Sequence, residues 1–374
     1  MAKSKIPTRN DLVKRYGSMI QKASDTIDNG LWLPSTFFAL NYQWGGGIPF
    51  GKIIELAGEE SSGKTLLALN FAYTCQQLGG HVIWVDAEQS WMNSWAEING
   101  VDPSGVTVVN DTRIEYISDM LADLALYTRS NLTHNEPILL VIDSIAALDC
   151  SDNVDSRMVG GKAEMGGRAK ALYKYFRIRN ELFYKLGITQ IYINQVRSAL
   201  NVGFGKDPLV TTGGAALKFW SSIRSVLFAG KSITVKSEGR ERRAGKLVTI
   251  RVLKNKVAPP RATISKCPVY FNPKLHNVGF DRYFYLSEAL LEEGVIEKNS
   301  SGTFYYKGEK IARGEDSFHK IIAEDDDFRR KLMRKAGINT IATTKKKLQS
   351  IKENLYPVEG IQYESYNSED DGDE

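Results

Sequence analysis

Apolar and polar positions follow two rhythms along this chain. Near the start, Leu12, Tyr16, Met19, Ile20, Ala23 and Ile27 recur at three- and four-residue intervals, the spacing of one apolar helix face. Lys14, Arg15 and Lys22 lie off that stripe, so the spacing predicts an amphipathic helix that packs on its own chain or on a neighbouring copy. From residue 53 onward short β-branched and aliphatic runs take over, at 53–56, 82–85, 106–109, 138–142 and 188–193, alternating with stretches of helical spacing. Strands that are apolar throughout and alternate with helices predict an α/β fold, its mostly parallel sheet covered by helices on both faces. Two Gly-rich interruptions, 151–167 and 198–214, are too long for plain connectors, and loops of that length usually carry function. Beyond 271 the pattern shortens to amphipathic pieces, with helices expected at 286–293 and 328–336 and a strand at 303–306. The organisation expected is an N-terminal helical segment 1–32, a core 33–271, a small C-terminal α+β domain 272–345 and a tail 346–374.

Composition narrows the class without deciding it. The 374 residues are 42% hydrophobic and 25% charged, ordinary values for a globular protein, which sets aside collagen-like, coiled-coil and fully disordered chains. No apolar run approaches the ~20 residues that span a bilayer, and the N-terminal MAKSKIPTRN lacks the apolar stretch of a secretory signal. Cys75, Cys150 and Cys267 stand far apart with no CxxC, as expected in a reducing cytoplasm, and the four histidines have no metal-ligand spacing. Charge is polarised: 231–261 holds ten Lys and Arg against Glu238 and Glu241, whereas eight acids and no base follow Lys352. The basic stretch fits a polyanion partner or a solvated hairpin face, and the acidic end reads as a disordered tail.

Chemistry enters directly after the first strong strand. Gly58-Glu59-Glu60-Ser61-Ser62-Gly63-Lys64-Thr65 is an unbroken G-x-x-x-x-G-K-[ST] that opens an apolar helical run. Such a loop wraps backbone N–H groups around phosphates at a helix N-terminus, with Lys64 neutralising phosphate oxygens and the Thr65 hydroxyl placed for Mg²⁺. The strand 138–142 ends in Asp143, the Walker B form of a second Mg²⁺ ligand, although a strand-end Asp can also cap a turn. Glu88 follows the strand 82–85 at the sheet edge where α/β folds bind ligands, so it is the candidate to orient or deprotonate an attacking water. Asn194-Gln195 ends the strand 188–193 at the same edge, within reach of a γ-phosphate.

Past that strand come Asn194-Gln195-Val196-Arg197, the Gly-rich stretch, and Thr211-Thr212-Gly213-Gly214-Ala215-Ala216-Leu217-Lys218-Phe219. With GEESSGKT, VDAE, VIDSIAAL, NQVR, TTGGAALKF, VLKNK and YYKGEKI in this order between about residues 33 and 311, the chain resembles the RecA family of bacterial and phage homologous recombinases. The resemblance implies a RecA-type P-loop ATPase core. It implies ATP and Mg²⁺ as ligands and a helical filament of identical copies on single-stranded DNA, which pairs with homologous double-stranded DNA and exchanges strands, in the cytoplasm and away from membranes. Carried onto this sequence, the pattern makes Lys64 and Thr65 phosphate and Mg²⁺ ligands, Asp143 the Walker B acid, Glu88 the catalytic carboxylate and Gln195 the γ-phosphate sensor. Lys254 and Lys256 match lysines that reach the nucleotide of the adjacent subunit, and Trp95 takes the place of a tyrosine that stacks on adenine. Met92 stands where an acid often meets the adenine edge, and Glu164 where a histidine is frequent.

The same pattern assigns the two loops to DNA. The first, 151–167, brings Met165 and Gly166, with Arg168 and Lys170 beyond it and Arg177 one helix further on. The second, 198–214, is flanked by Arg197 and contributes Ser198, Leu200, Phe204, Thr211, Thr212, Gly213 and Gly214. Independently of any family, Arg157, Lys162, Arg168, Arg197 and Lys206 offer cations for phosphates, and Met158, Met165, Val202 and Phe204 offer apolar wedges between bases. The acidic tail could compete with DNA for basic surface or act only in solubility. Two other readings share the P-loop: a hexameric RecA-fold helicase, and a scaffold that uses ATP as a structural ligand, against which Glu88 counts.

Overall fold

The computed structural model describes residues 8–16, 30–132, 135–158, 166–198, 209–212, 215–237 and 239–366. They form two compact units, 1–31 and 32–374. In the first, α1 (Arg9–Tyr16) is opened by Thr8, whose amide and hydroxyl both donate to Asp11. Met19, Ile20, Ala23 and Ile27 of the expected stripe lie outside the described residues.

The second unit begins with β1 (Trp32–Leu33), α2 (Phe38–Trp44) and β2 (Ile48–Pro49), β1 and β2 pairing antiparallel. The alternation expected from the sequence follows as β3 (Ile53–Gly58), α3 (Lys64–Gln77), β4 (His81–Asp86), α4 (Asn93–Ile98), β5 (Val106–Val109), α5 (Ile114–Asn131) and β6 (Ile138–Asp143). After α6 (Ser151–Met158), α7 (Gly167–Lys185), β7 (Ile188–Ser198), β8 (Leu209–Thr211) and α8 (Ala216–Trp220) come the long strands β9 (Ile223–Ser237) and β10 (Arg240–Asn255), then β11 (Ile264–Tyr270) and β12 (Gly279–Phe280). Among the described residues ten strands make one sheet in the order β12-β11-β10-β9-β3-β7-β6-β4-β5, with β8 on β7. Strands β9, β3, β7, β6, β4 and β5 run parallel, and β10, β11 and β12 extend the sheet antiparallel.

β3 is buried at every position inside the sheet between β9 and β7, and apart from Glu55 its side chains are apolar without the alternation of a strand exposed on one face. α5 and α7 pack on one face, placing Leu121, Leu172, Phe176 and Phe183 against Ile83, Leu140 and Ile142. Elsewhere in the core, Phe71 of α3 stacks on Trp44 with ring centroids 5.7 Å apart.

The C-terminal part is α9 (Leu286–Glu292), β13 (Glu297–Lys298), β14 (Thr303–Tyr306), β15 (Glu309–Arg313), α10 (Glu315–Glu324), α11 (Asp326–Lys335) and α12 (Ile341–Ser350). Its core of Phe304, Phe318, Leu290 and Leu332 also takes in Tyr42 of α2, and the layer belongs to the second unit.

Two expectations are corrected here. Residues 151–158 of the first Gly-rich segment are helical, because Glu115 accepts from both the amide and the hydroxyl of Ser151 and the glycines begin only at 160. The segment 346–374 is not disordered throughout: α12 runs to Ser350, and 351–366 return to the core as a strap. Asn135 donates to the Glu353 carbonyl and accepts from the Leu355 amide, both at 2.8 Å, while Arg179 donates to the Glu364 carbonyl at 2.7 Å. Tyr356 and Tyr366 are buried, and Val358, Ile361 and Tyr363 pack beside them. Net charge misled because these apolar residues alternate with the acids. Residues 367–374 lie outside the described residues.

Candidate active site

The loop between β3 and α3 is shaped by its glycines. Gly63, the residue before α3, has φ +92°, and a Cβ on Gly58 would come within 2.5 Å of the Leu227 carbonyl. No acid stands in the first turn of α3, so its free N–H groups and partial positive charge face the loop. Lys64, almost fully buried, folds back to donate to the carbonyls of Gly58 (3.0 Å) and Glu59 (2.7 Å). Burial lowers its pKa, and Asp143 and Glu88 oppose that shift.

Three further strands bring their ends to this loop. In the β4–β6 register Asp86 lies beside Asp143, and in the β3–β7 register Gln195 lies beside Gly58. Thr65 Oγ1 donates to Asp143 Oδ2 at 2.9 Å. Burial raises the Asp143 carboxyl to about 6, helped by repulsion from Glu88 and Asp86 and countered by the Thr65 hydrogen bond. Asp86 accepts from the amides of Ser90 (2.9 Å) and Trp91 (2.8 Å), which ties down the turn carrying Glu88. Glu88 is exposed and accepts through Oε1 from the Ser144 hydroxyl, across a cis Asp143–Ser144 peptide bond. Thus Lys64, Thr65, Glu88, Asp143 and Gln195 meet at the carboxyl ends of β3, β4, β6 and β7, the edge where open α/β sheets bind ligands.

A cavity of about 520 Å³ opens from the loop, lined by Ser61 to Leu66 on one side. Trp95 lines it, with Val248, Val269 and Phe271 completing an apolar wall. Arg243 and Lys246 also line it, and sequence reasoning missed both, along with Phe271. Glu59 and Glu60 are exposed residues of the loop, whereas Ser62 is fully buried.

Lys254 and Lys256 lie away from this cavity. Glu55 of β3 is level with Arg224 of β9, which pairs with Lys254 of β10; the Lys256 amide bonds the Ser222 carbonyl, level with Ile53. Five residues of strand separate Ile53 from Gly58, about 17 Å. Lys254 Nζ donates to the carbonyls of Lys218 (2.6 Å) and Phe219 (3.1 Å) at the end of α8. Burial lowers its pKa, with Lys256 and Arg224 adding like-charge repulsion.

The residues assigned to DNA divide. Lys170 and Arg177 are exposed on α7 and, with Lys174, line a second cavity of about 650 Å³ that Tyr366 borders. Arg168 turns inward, donating to the Ala146 carbonyl at 3.2 Å and pairing with Asp149 at 3.8 Å, so its charge is already matched. Gly166, with φ +95°, precedes α7. Arg197 and Ser198 end β7, opposite Val210 and Leu209 of β8. Thr211 is buried rather than facing outward, and the Thr212 carbonyl accepts from Asn194 at 3.0 Å. Met165, Leu200, Phe204, Gly213 and Gly214 lie outside the described residues.

The model of the RecA N-terminal domain family matches residues 12–273. Proteins named Protein RecA are similar over most of their length. The one from Malacoplasma penetrans is 33% identical over 318 residues, 85% of this chain and 90% of its own. That from Saccharopolyspora erythraea is 32% identical over 333 residues, covering 87% and 90%, and that from Mycoplasma mycoides 33% over 321 residues, covering 85% and 87%.

Proposed function

The chain belongs to the RecA family, and on that premise we propose how it works: as an ATP-hydrolysing recombination and repair protein that coats single-stranded DNA, pairs it with a homologous duplex and exchanges strands. One observation carries the mechanism. The phosphate cradle sits at the carboxyl end of β3, whereas Lys256 is level with its start and Lys254, level with Glu55, turns its ammonium to the end of α8, which supports a site completed by the cradle of one copy and the lysines of the next.

In such a seam the loop amides and Lys64 hold the β- and γ-phosphates. A Thr65 hydroxyl beside a buried Asp143 carboxyl fits a hard divalent cation, and Mg²⁺ held there would neutralise phosphate charge. Glu88, with Oε1 occupied by Ser144, presents Oε2 to align a water and accept its proton as the water attacks the γ-phosphorus and the bond to ADP breaks. The neighbour's Lys254 and Lys256 face the charge that gathers on the transferring group. Phe219, 62% exposed beside the carbonyls that Lys254 caps, offers this edge an apolar contact for the next copy. On α5, Tyr116, Met120 and Tyr127 make a second exposed stripe suited to self-association.

Gln195 senses the γ-phosphate with its side-chain amide, while its backbone carbonyl accepts from the Thr212 amide at 3.3 Å. Triphosphate binding therefore biases the return of the second Gly-rich segment, 198–214, toward DNA-gripping order. Lys170 and Arg177 supply cations on the first side, and Arg168 does so only if it leaves Asp149. Cys75, Cys150 and Cys267 are buried and unpaired, which suits the cytoplasm. Among the described residues no helix is long and apolar enough to cross a membrane. The test supplies single-stranded DNA, homologous duplex and ATP, then follows phosphate release and joint molecules together. Both should appear; hydrolysis without joint molecules would overturn the recombinase reading, and unwinding by closed rings would favour a helicase.

A further inference from the structure

Arg243 and Lys246 stand three residues apart on β10, a spacing that in a regular strand puts side chains on opposite faces. Their partners on β9 show otherwise. Arg243 pairs with Thr234 and Lys246 with Ser232, two positions of the same parity, because a bulge between Arg243 and Gly245 absorbs one extra residue. A second register shift follows between Lys246 and Val248. Gly245 lets the bulged strand press on its other neighbour, since a Cβ there would meet the Val269 carbonyl at 2.2 Å. The result is two cations on the cavity wall facing the phosphate loop.

Among the described residues the cavity lining carries Lys64, Arg243 and Lys246 and no carboxylate. Lys246 Nζ donates to the Ser61 carbonyl at 3.1 Å, and the Arg243 guanidinium sits 5.6 Å from the centre of the Phe271 ring. Among the described residues neither is paired with an acid. Resting on the nucleotide reading above, we propose that Arg243 and Lys246 are phosphate ligands supplied by the β9–β10 ribbon, closing the outer wall of the cradle over the polyphosphate of a bound nucleoside di- or triphosphate. The Lys246 ammonium exchanges a neutral carbonyl for a phosphate oxygen, a stronger charge-assisted bond, and the apolar wall of Trp95, Val269 and Phe271 is left to the base.

The test is competition of ADP and of adenosine against a fluorescent ADP analogue, on the full chain without DNA. Lys246→Met and Arg243→Met should each weaken ADP about tenfold and leave adenosine within about twofold. Lys246→Arg should keep ADP within about threefold of the parent, since it retains the charge. Unchanged ADP affinity in both Met variants, or equal weakening of ADP and adenosine, overturns the proposal, the second outcome meaning that the side chains only pack the wall. Lys64→Ala is the separate control: if it binds ADP like the parent, the nucleotide site itself has been misplaced.

Discussion

Glu55 shows how much one side chain organises. It is fully enclosed in β3, with Oε1 accepting from Asn194 Nδ2 at 2.8 Å and Oε2 pairing with Arg224. Asn194 also donates to the Thr212 carbonyl, and its Oδ1 accepts from the Gln195 amide at 2.9 Å. A single carboxylate therefore anchors the strand that leads into Gln195, the return of the second Gly-rich segment at Thr212 and the strand that pairs with Lys254. Glu55→Gln keeps the size but leaves Arg224 charged and unmatched, which should cost about 3 kcal/mol in urea unfolding. Adding Arg224→Met should recover much of that loss; a Glu55→Gln variant as stable as the parent would show that the pair holds nothing. This network was not legible in the sequence, where Glu55 reads as an ordinary interruption of an apolar strand. Lys64, Thr65, Asp143 and Glu88 were legible, because each is fixed by its distance from a strand end.

Elements were legible wherever one rhythm governed them. The strands expected at 53–56, 82–85, 106–109, 138–142 and 188–193 are β3 to β7, and the helices expected at 286–293 and 328–336 are α9 and α11 within two residues. The C-terminal strap was read by charge alone and so misread. Arg179, only 1% exposed, forms an ion pair with Asp119 and donates to Ser118 on α5 as well as to the strap, while Asp119 accepts from Ser365 and from the Tyr366 amide. Losing the strap uncovers this ion pair and the apolar surface under Tyr356 and Tyr366. A chain ending at Ser350 should unfold about 3 kcal/mol more easily in urea, the burial of a few apolar side chains less the entropy of ordering the strap. In the full chain, trypsin should cut after Lys352 far more slowly than in an unfolded control. Cleavage there as fast as in the control would mean that the strap does not hold in solution.

At the scale of the whole molecule, the proposed seam requires a single copy to carry two half-sites, the cradle and the Lys254–Lys256 pair. Mixing two inactive proteins tests this directly. Lys64→Ala loses the cradle, and the double change Lys254→Ala with Lys256→Ala loses the distal cations. Each should hydrolyse ATP at least about a hundredfold more slowly than the parent. Combined on single-stranded DNA they should regain a sizeable fraction of activity, because seams then form with an intact cradle from one protein and intact lysines from the other. A mixture no more active than its components would place both half-sites within one copy. The sequence by itself determined the phosphate loop, the strand-end acids and the parallel sheet, since adjacent residues and short periods set them through local backbone geometry. Only the tertiary structure decided that Arg243 and Lys246 share a face, that Lys254 turns to α8 rather than to the cradle of its own copy, and that Asn135 holds a strap 218 residues away. Bulge parity, sheet order and long-range docking depend on which distant segments meet, and that is settled by the packing of the whole chain rather than by any stretch of it.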